Sequence, residues 1–105
     1  MNELENINEA VFESIKHFDE NGDEYWYARE LQNVLEYYQW RSINDLIERA
    51  KITCQESKYN IDDHFAIQRK MIKLAKGATR KVIDYKLSRY ACYLIVINGN
   101  PNKRI

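Results

Sequence analysis

Glycine and proline are scarce, three and one among 105 residues, which leaves little room for flexible linkers and points to a single domain spanning residues 1–105. A chain of that length buries one core rather than two. Cysteine is equally rare. Cys54 and Cys92 form no CxxC pair and both sit in apolar-periodic stretches, so buried, reduced thiols are expected. No apolar run approaches the roughly 18 residues that span a membrane. The opening MNELENINEA is acidic and lacks the basic-then-apolar order of a secretory signal. A cytoplasmic location with no membrane partner is therefore the default expectation.

Catalytic signatures are missing as well. HExxH, GxSxG, P-loop and GxGxxG patterns do not occur. The two histidines, His17 and His64, lie far apart along the chain. Asp62, Asp63 and His64 are metal-ligand residue types, but chain neighbours rarely converge on one ion, and helix capping explains an acid there better. Cys92 has no base near it in sequence, unlike an activated nucleophile. The expectation is a non-enzyme with no cofactor and no metal.

What the chain has in quantity is charge, unevenly placed. An apolar fraction of 45% with 30% charged residues fits a soluble globular domain rather than a disordered tail. Net charge is zero, yet residues 1–68 hold 15 acids and 6 bases, while residues 69–105 hold 10 bases and a single acid. A balance of −9 against +9 fits a polyanion partner for the basic third, or two halves that neutralise each other across the fold.

The hydrophobic period changes repeatedly along the chain. Leu4, Ile7, Ala10 and Val11 predict a short amphipathic helix over about residues 3–12. Asn21-Gly22, between Ile15/Phe18 and Tyr25-Trp26-Tyr27, signals a β-hairpin, the alternative being a first helix that runs on through Phe18. Ala28, Leu31, Val34 and Leu35 repeat at helical spacing up to Glu36, and an aromatic turn follows from Tyr37 to Trp40. Ser42 with Asp45 resembles a capping box for a second helix from Ile43 to Glu56, marked by Ile43, Ile47, Ala50 and Cys54. Two short helices joined by a tight turn resemble a helix-turn-helix, a weak signal by itself. Asn60 or Asp62 then caps one helical turn. KMIKLA and KVIDYKL predict two strands joined by a turn at Gly77-Ala78-Thr79, with Ile83, Tyr85 and Leu87 on one face and Val82, Asp84 and Lys86 on the other. Ser88 caps a final helix, Tyr90 to Ile97, so apolar that it reads as core, with Asn98-Gly99 and Pro101 as its stop. The fold class expected is α+β: short helices, small antiparallel β-hairpins and a buried C-terminal helix.

The one constellation with chemical meaning is basic. Arg69, Lys70, Lys73, Lys76, Arg80 and Lys81 crowd the predicted hairpin, and phosphate oxygens require cationic donors spaced along a surface in this way. Arg41 and Lys51 on the preceding helix are secondary candidates. Trp40 has two readings, stacking on a base or filling the core beside the turn, and its size favours the core.

Three stretches, FESIKHFDENGDEYWYARELQNVLEYYQW, IDDHF with KMIKLAKG, and LSRYACYLIVINGNP, resemble the N-terminal domain of the DNA-damage-inducible D proteins, which is similar to the Bro-N domain of phage and viral antirepressors. The resemblance covers residues 12–105. It implies an α+β DNA-binding module of a bacterial or mobile-element protein made after DNA damage (the SOS response), with effects on repair or recombination proteins, and with no cofactor or catalytic residue. Family proteins continue past the NGNP turn, so the chain is expected to be part of a longer protein. Two positions depart from the family. Tyr27 stands where Ser is usual, and Glu36 where Gly is usual, which predicts a looser turn between the two central helices. The leading expectation is a DNA-binding module using the eight cations named. The alternative is a protein-interaction module that docks a repair, recombination or repressor protein through Tyr25, Trp26, Tyr37, Tyr38 and Trp40. Self-association as a homodimer also stays open.

Overall fold

Alternation between helical and two-residue periods gives the expected α+β architecture. The computed structural model describes the backbone of residues 3–99 and the side chains of residues 9–99. The Leu4 and Ile7 side chains and the Pro101 stop lie outside the described residues. In chain order come α1 (Glu3–Ser14), β1 (His17–Phe18), β2 (Glu24–Tyr27), α2 (Ala28–Val34), α3 (Trp40–Glu56), α4 (Ile61–His64), β3 (Phe65–Lys73), a 3-10 turn (Ala75–Gly77), β4 (Thr79–Leu87) and α5 (Arg89–Ile97). The strands form one antiparallel sheet in the order β1-β2-β4-β3.

Of the two readings at Asn21-Gly22, the hairpin is the one observed, pairing His17 with Tyr25 and Phe18 with Glu24. Its turn is built by Asp19. The Asp19 carboxylate accepts from the Asn21 and Asp23 N–H groups at 2.9 Å each, and Gly22 takes φ +85°. The second arm delivers Trp26 to the core, fully buried, its indole ring stacked on Phe12 at 4.4 Å and its Nε1–H donating to the Phe12 carbonyl at 2.9 Å. The buried ring thus leaves no polar atom unsatisfied.

Trp26, Phe65, Tyr85 and Leu87 project from one face of the sheet into a core completed by Leu31 of α2, Ile43, Ile47 and Cys54 of α3, and Ala91, Cys92 and Ile95 of α5. Burying each large apolar side chain stabilises the fold by about 1.5–3 kcal/mol. Both thiols are buried, and burial raises their pKa values above the ordinary range. Along α5 the burial is one-sided: Ala91, Cys92, Leu94 and Ile95 are covered, while Tyr93, Val96 and Ile97 are exposed.

Helix α3 begins at Trp40, earlier than the Ser42 cap predicts. Ser42 sits inside the first turn, its N–H bonded to the Gln39 carbonyl at 3.1 Å. The turn before it is not looser. Glu36 adopts φ +63°, its N–H reaches the Asn33 carbonyl at 3.1 Å, and the Tyr37 N–H reaches Gln32 at 3.0 Å. These two bonds make a complete Schellman closure with glutamate in the left-handed position. Lys58 at the end of α3 does the same at φ +69°.

Left-handed backbone is strained for a residue with a Cβ and relaxed for glycine. Glu36→Gly should therefore raise stability by about 1 kcal/mol, roughly 4–8 °C in the thermal midpoint. Thermal denaturation followed by circular dichroism checks this.

Candidate nucleic-acid interface

Nine consecutive pairs, from Phe65 with Leu87 to Lys73 with Thr79, join β3 to β4. At about 3.3 Å per residue the ribbon is some 30 Å long. Both strands are longer than the sequence suggests, and the turn falls earlier, at Leu74–Ala78, where the Leu74 N–H donates to the Ala78 carbonyl at 2.7 Å. β2 pairs with β4 only at Leu87 and Lys86. Beyond the short stretch flanked by α2, the ribbon is therefore two strands wide among the described residues, a basic arm leaving the body.

The expected alternation of faces on β4 holds, but at Ile83 and Asp84 burial runs opposite to hydrophobicity. Ile83 is 45% exposed while Asp84 is 0% exposed. The helical layer covers the first face only as far as Tyr85. On the opposite face Asp84 has a different cover. Its Oδ1 accepts from the Arg29 N–H at 3.0 Å and from its own strand neighbour Tyr85 N–H at 2.8 Å, and its Oδ2 takes the Lys70 ammonium at 2.8 Å. Helix α2 has no cap from its own N-cap residue, Tyr27. Asp84 supplies that cap from another strand, fastening α2 to the edge of β4 where β2 stops. The Arg29 side chain continues the attachment, its Nε–H donating to the Ile83 carbonyl at 2.9 Å and its guanidinium lying 4.2 Å over the Trp40 ring.

The eight candidate cations are not equivalent. Lys70 is held by Asp84 and lies 3.5 Å over the Tyr27 ring. Lys51 pairs with Glu48 at 3.3 Å and sits 5.5 Å over Tyr85 at the root of the arm. Arg69, Lys73, Lys76, Arg80, Lys81 and Arg41 are exposed, and none forms an ion pair with a described residue. The strand register puts Arg69, Lys73 and Lys81 on the face that carries Ile67 and Ile83, and Lys70 and Arg80 on the other. Lys76 occupies the tip at φ +67°. Carboxylates from the front of the chain do reach the basic segment, but at Arg89, which binds Glu13 and Glu24 at 2.8 Å each.

Other candidates recede. A depression of about 340 Å³ beside α1 and α2 is lined by His17, Glu30 and Lys16, which are already paired, His17 with Glu30 at 2.7 Å and Lys16 with Glu13 at 3.0 Å. No cluster of three metal-ligating side chains occurs among the described residues. No described helix is long and apolar enough to cross a membrane. Of the five aromatics of the docking alternative, Trp26 belongs to the core, and Trp40 is half-buried, stacked on Tyr85 at 6.5 Å. Tyr38 alone of the five is largely exposed, at 92%.

Residues 14–105 match the family model for the N-terminal domain of the BRO family. The chain belongs to the BRO family. This Bro-N domain is also 43% identical over 100 residues to DNA damage-inducible protein D of Escherichia coli (strain K12), a match that covers 95% of the chain and 36% of that relative. The chain thus spans about a third of the relative's length. No solved structure matches it.

Asp84 and Arg29 of the Bro-N domain are the residues that reading by pattern misses. The only signal of Asp84 is that it is the sole acid in the basic third. Removing its carboxylate leaves the α2 N–H and the Lys70 ammonium without their partner. Asp84→Ala should cost about 2–4 kcal/mol in urea denaturation, more than an exposed carboxylate change. Arg89 holds the Glu13 and Glu24 carboxyls below the usual carboxylate range, mainly through its direct hydrogen bonds. A carboxyl lowered in the folded state contributes stability above its unfolded pKa and loses it as pH falls through the folded one. Arg89→Gln should lower stability at neutral pH, with the deficit shrinking as pH drops below the carboxylate range in a pH series of melts.

Proposed function

We propose that this Bro-N domain binds DNA through the β3–β4 arm. Arg69, Lys73, Lys76, Arg80 and Lys81 contact phosphates, with Arg41 and Lys51 as secondary contacts and Lys70 anchoring the arm through Asp84. The observation that carries the reading is the cluster of exposed arm cations without an ion-pair partner among the described residues. Cations of this kind hold small counter-anions in water and exchange them for a polyphosphate chain, which makes binding favourable at low salt and progressively weaker as salt rises. The module acts without catalysis or cofactor. The DNA-damage association in the relative's name is extended to this chain as part of the same proposal, with repair or recombination proteins as the class of protein partner.

Titrating a fluorescent DNA at several salt concentrations tests it. The affinity should fall steeply with salt, and Lys76→Glu with Arg80→Glu should reduce the magnitude of the slope by about two, one for each phosphate no longer neutralised. Salt-independent binding, or an unchanged slope in the double variant, overturns the proposal.

A further inference from the structure

Charge is only half of what the arm displays. On the face shared with the core, the register places Ile67, Ile83 and Met71 at successive diagonal positions across the two strands, and Arg69, Lys81 and Lys73 at the interleaved ones. Beyond the reach of α3 these apolar side chains are bare, Ile67 at 48%, Met71 at 60% and Ile83 at 45% exposure. Diagonal neighbours across an antiparallel pair lie close enough to form one continuous strip. The face is therefore an apolar zigzag bordered on both sides by long cationic side chains. Phosphate binding alone explains the cations and gives the apolar residues nothing to do.

From this arrangement we infer that the arm lies lengthwise in the major groove of duplex DNA, with Ile67, Ile83 and Met71 against thymine methyl groups on the groove floor and Arg69, Lys73 and Lys81 reaching outward to the phosphates. The inference rests on the DNA-binding reading and names its substrate class. Three observations select this occupant. Two strands about 4.8 Å apart, with their side chains, make a ribbon that a groove about 12 Å wide admits. Thymine C5-methyl is the apolar group that the major groove presents, and it lies between rows of phosphates just as the zigzag lies between cations. Single-stranded binding relies on aromatic platforms, and no aromatic residue occurs from Ala66 to Asp84. A second copy of the chain is a poor occupant of the same face, because it would bring Arg69, Lys73 and Lys81 against their own counterparts. At the root of the arm Lys51 of α3 lies over Tyr85, already paired with Glu48.

The experiment compares one thymine-rich duplex, the same duplex with uracil in place of thymine, and its separated single strands, each with the wild-type chain and with Met71→Gln/Ile83→Gln. These changes are on exposed positions and alter no charge. Wild type should prefer the thymine duplex over the uracil duplex by roughly fourfold for each methyl buried, and over the single strands. The double variant should lose the thymine preference while its salt slope stays unchanged. Equal binding of thymine and uracil duplexes by wild type, tighter binding of single strands, or a dimer in sedimentation that Met71→Gln/Ile83→Gln dissociates overturns the inference. If salt-dependent binding persists in those cases, the phosphate-binding reading survives alone. Binding to none of the three nucleic acids overturns both.

Discussion

A single buried carboxylate sets the geometry of this domain. Asp84 is the one acid in β4, and it is fully enclosed. A carboxylate in that position is tolerable only if its oxygens are filled, and they are filled by a helix N-terminus, a strand N–H and an ammonium. The consequence is architectural. β2 runs out after two pairs with β4, and the N-terminus of α2 takes over the open edge. The arm therefore leaves the body at a defined place, with Arg29, Trp40 and Tyr85 packed around its root.

The same interaction sorts the cations. Lys70 neutralises Asp84 and lies on Tyr27, so this cation is held by the fold. Arg89 is likewise absorbed by Glu13 and Glu24, and helps tie α1, β2 and α5 together. Of the candidate cations without an ion pair to a described residue, Arg41 lies on α3 and the other five lie along the ribbon and its tip. Of the two outcomes left open by the −9 and +9 halves, pairing between the halves occurs at Arg89 with Glu13 and Glu24, while the exposed arm cations form no ion pair with a described residue. Both positions that depart from the family have structural work: Tyr27 carries the Lys70 ammonium, and Glu36 holds the left-handed turn that positions α3.

Much of this was legible in the residues. The Asn21-Gly22 hairpin, the helix at Ala28, the two-strand ribbon and the Ser88 cap are local events, each decided within a few residues by turn chemistry, period or a side-chain hydrogen bond. The start of α3 was not, because Ser42 offers a cap that competes with the burial of Trp40 against Tyr85, and packing prevails over the local signal. Exposure along β4 was not legible either. Alternation of Val82, Ile83, Asp84 and Tyr85 states which side chains share a face, but it does not state how far the helical layer extends over that face.

The chain by itself determined the element types, the excess of cations in its last third and the family likeness, because composition, period and motif are properties of contiguous residues. Only the tertiary structure decided which cations are held and which are open, and that Ile67, Ile83 and Met71 line up between Arg69, Lys81 and Lys73. Those facts depend on strand register and on where α2 and α3 end, which are contacts between residues that lie far apart along the chain.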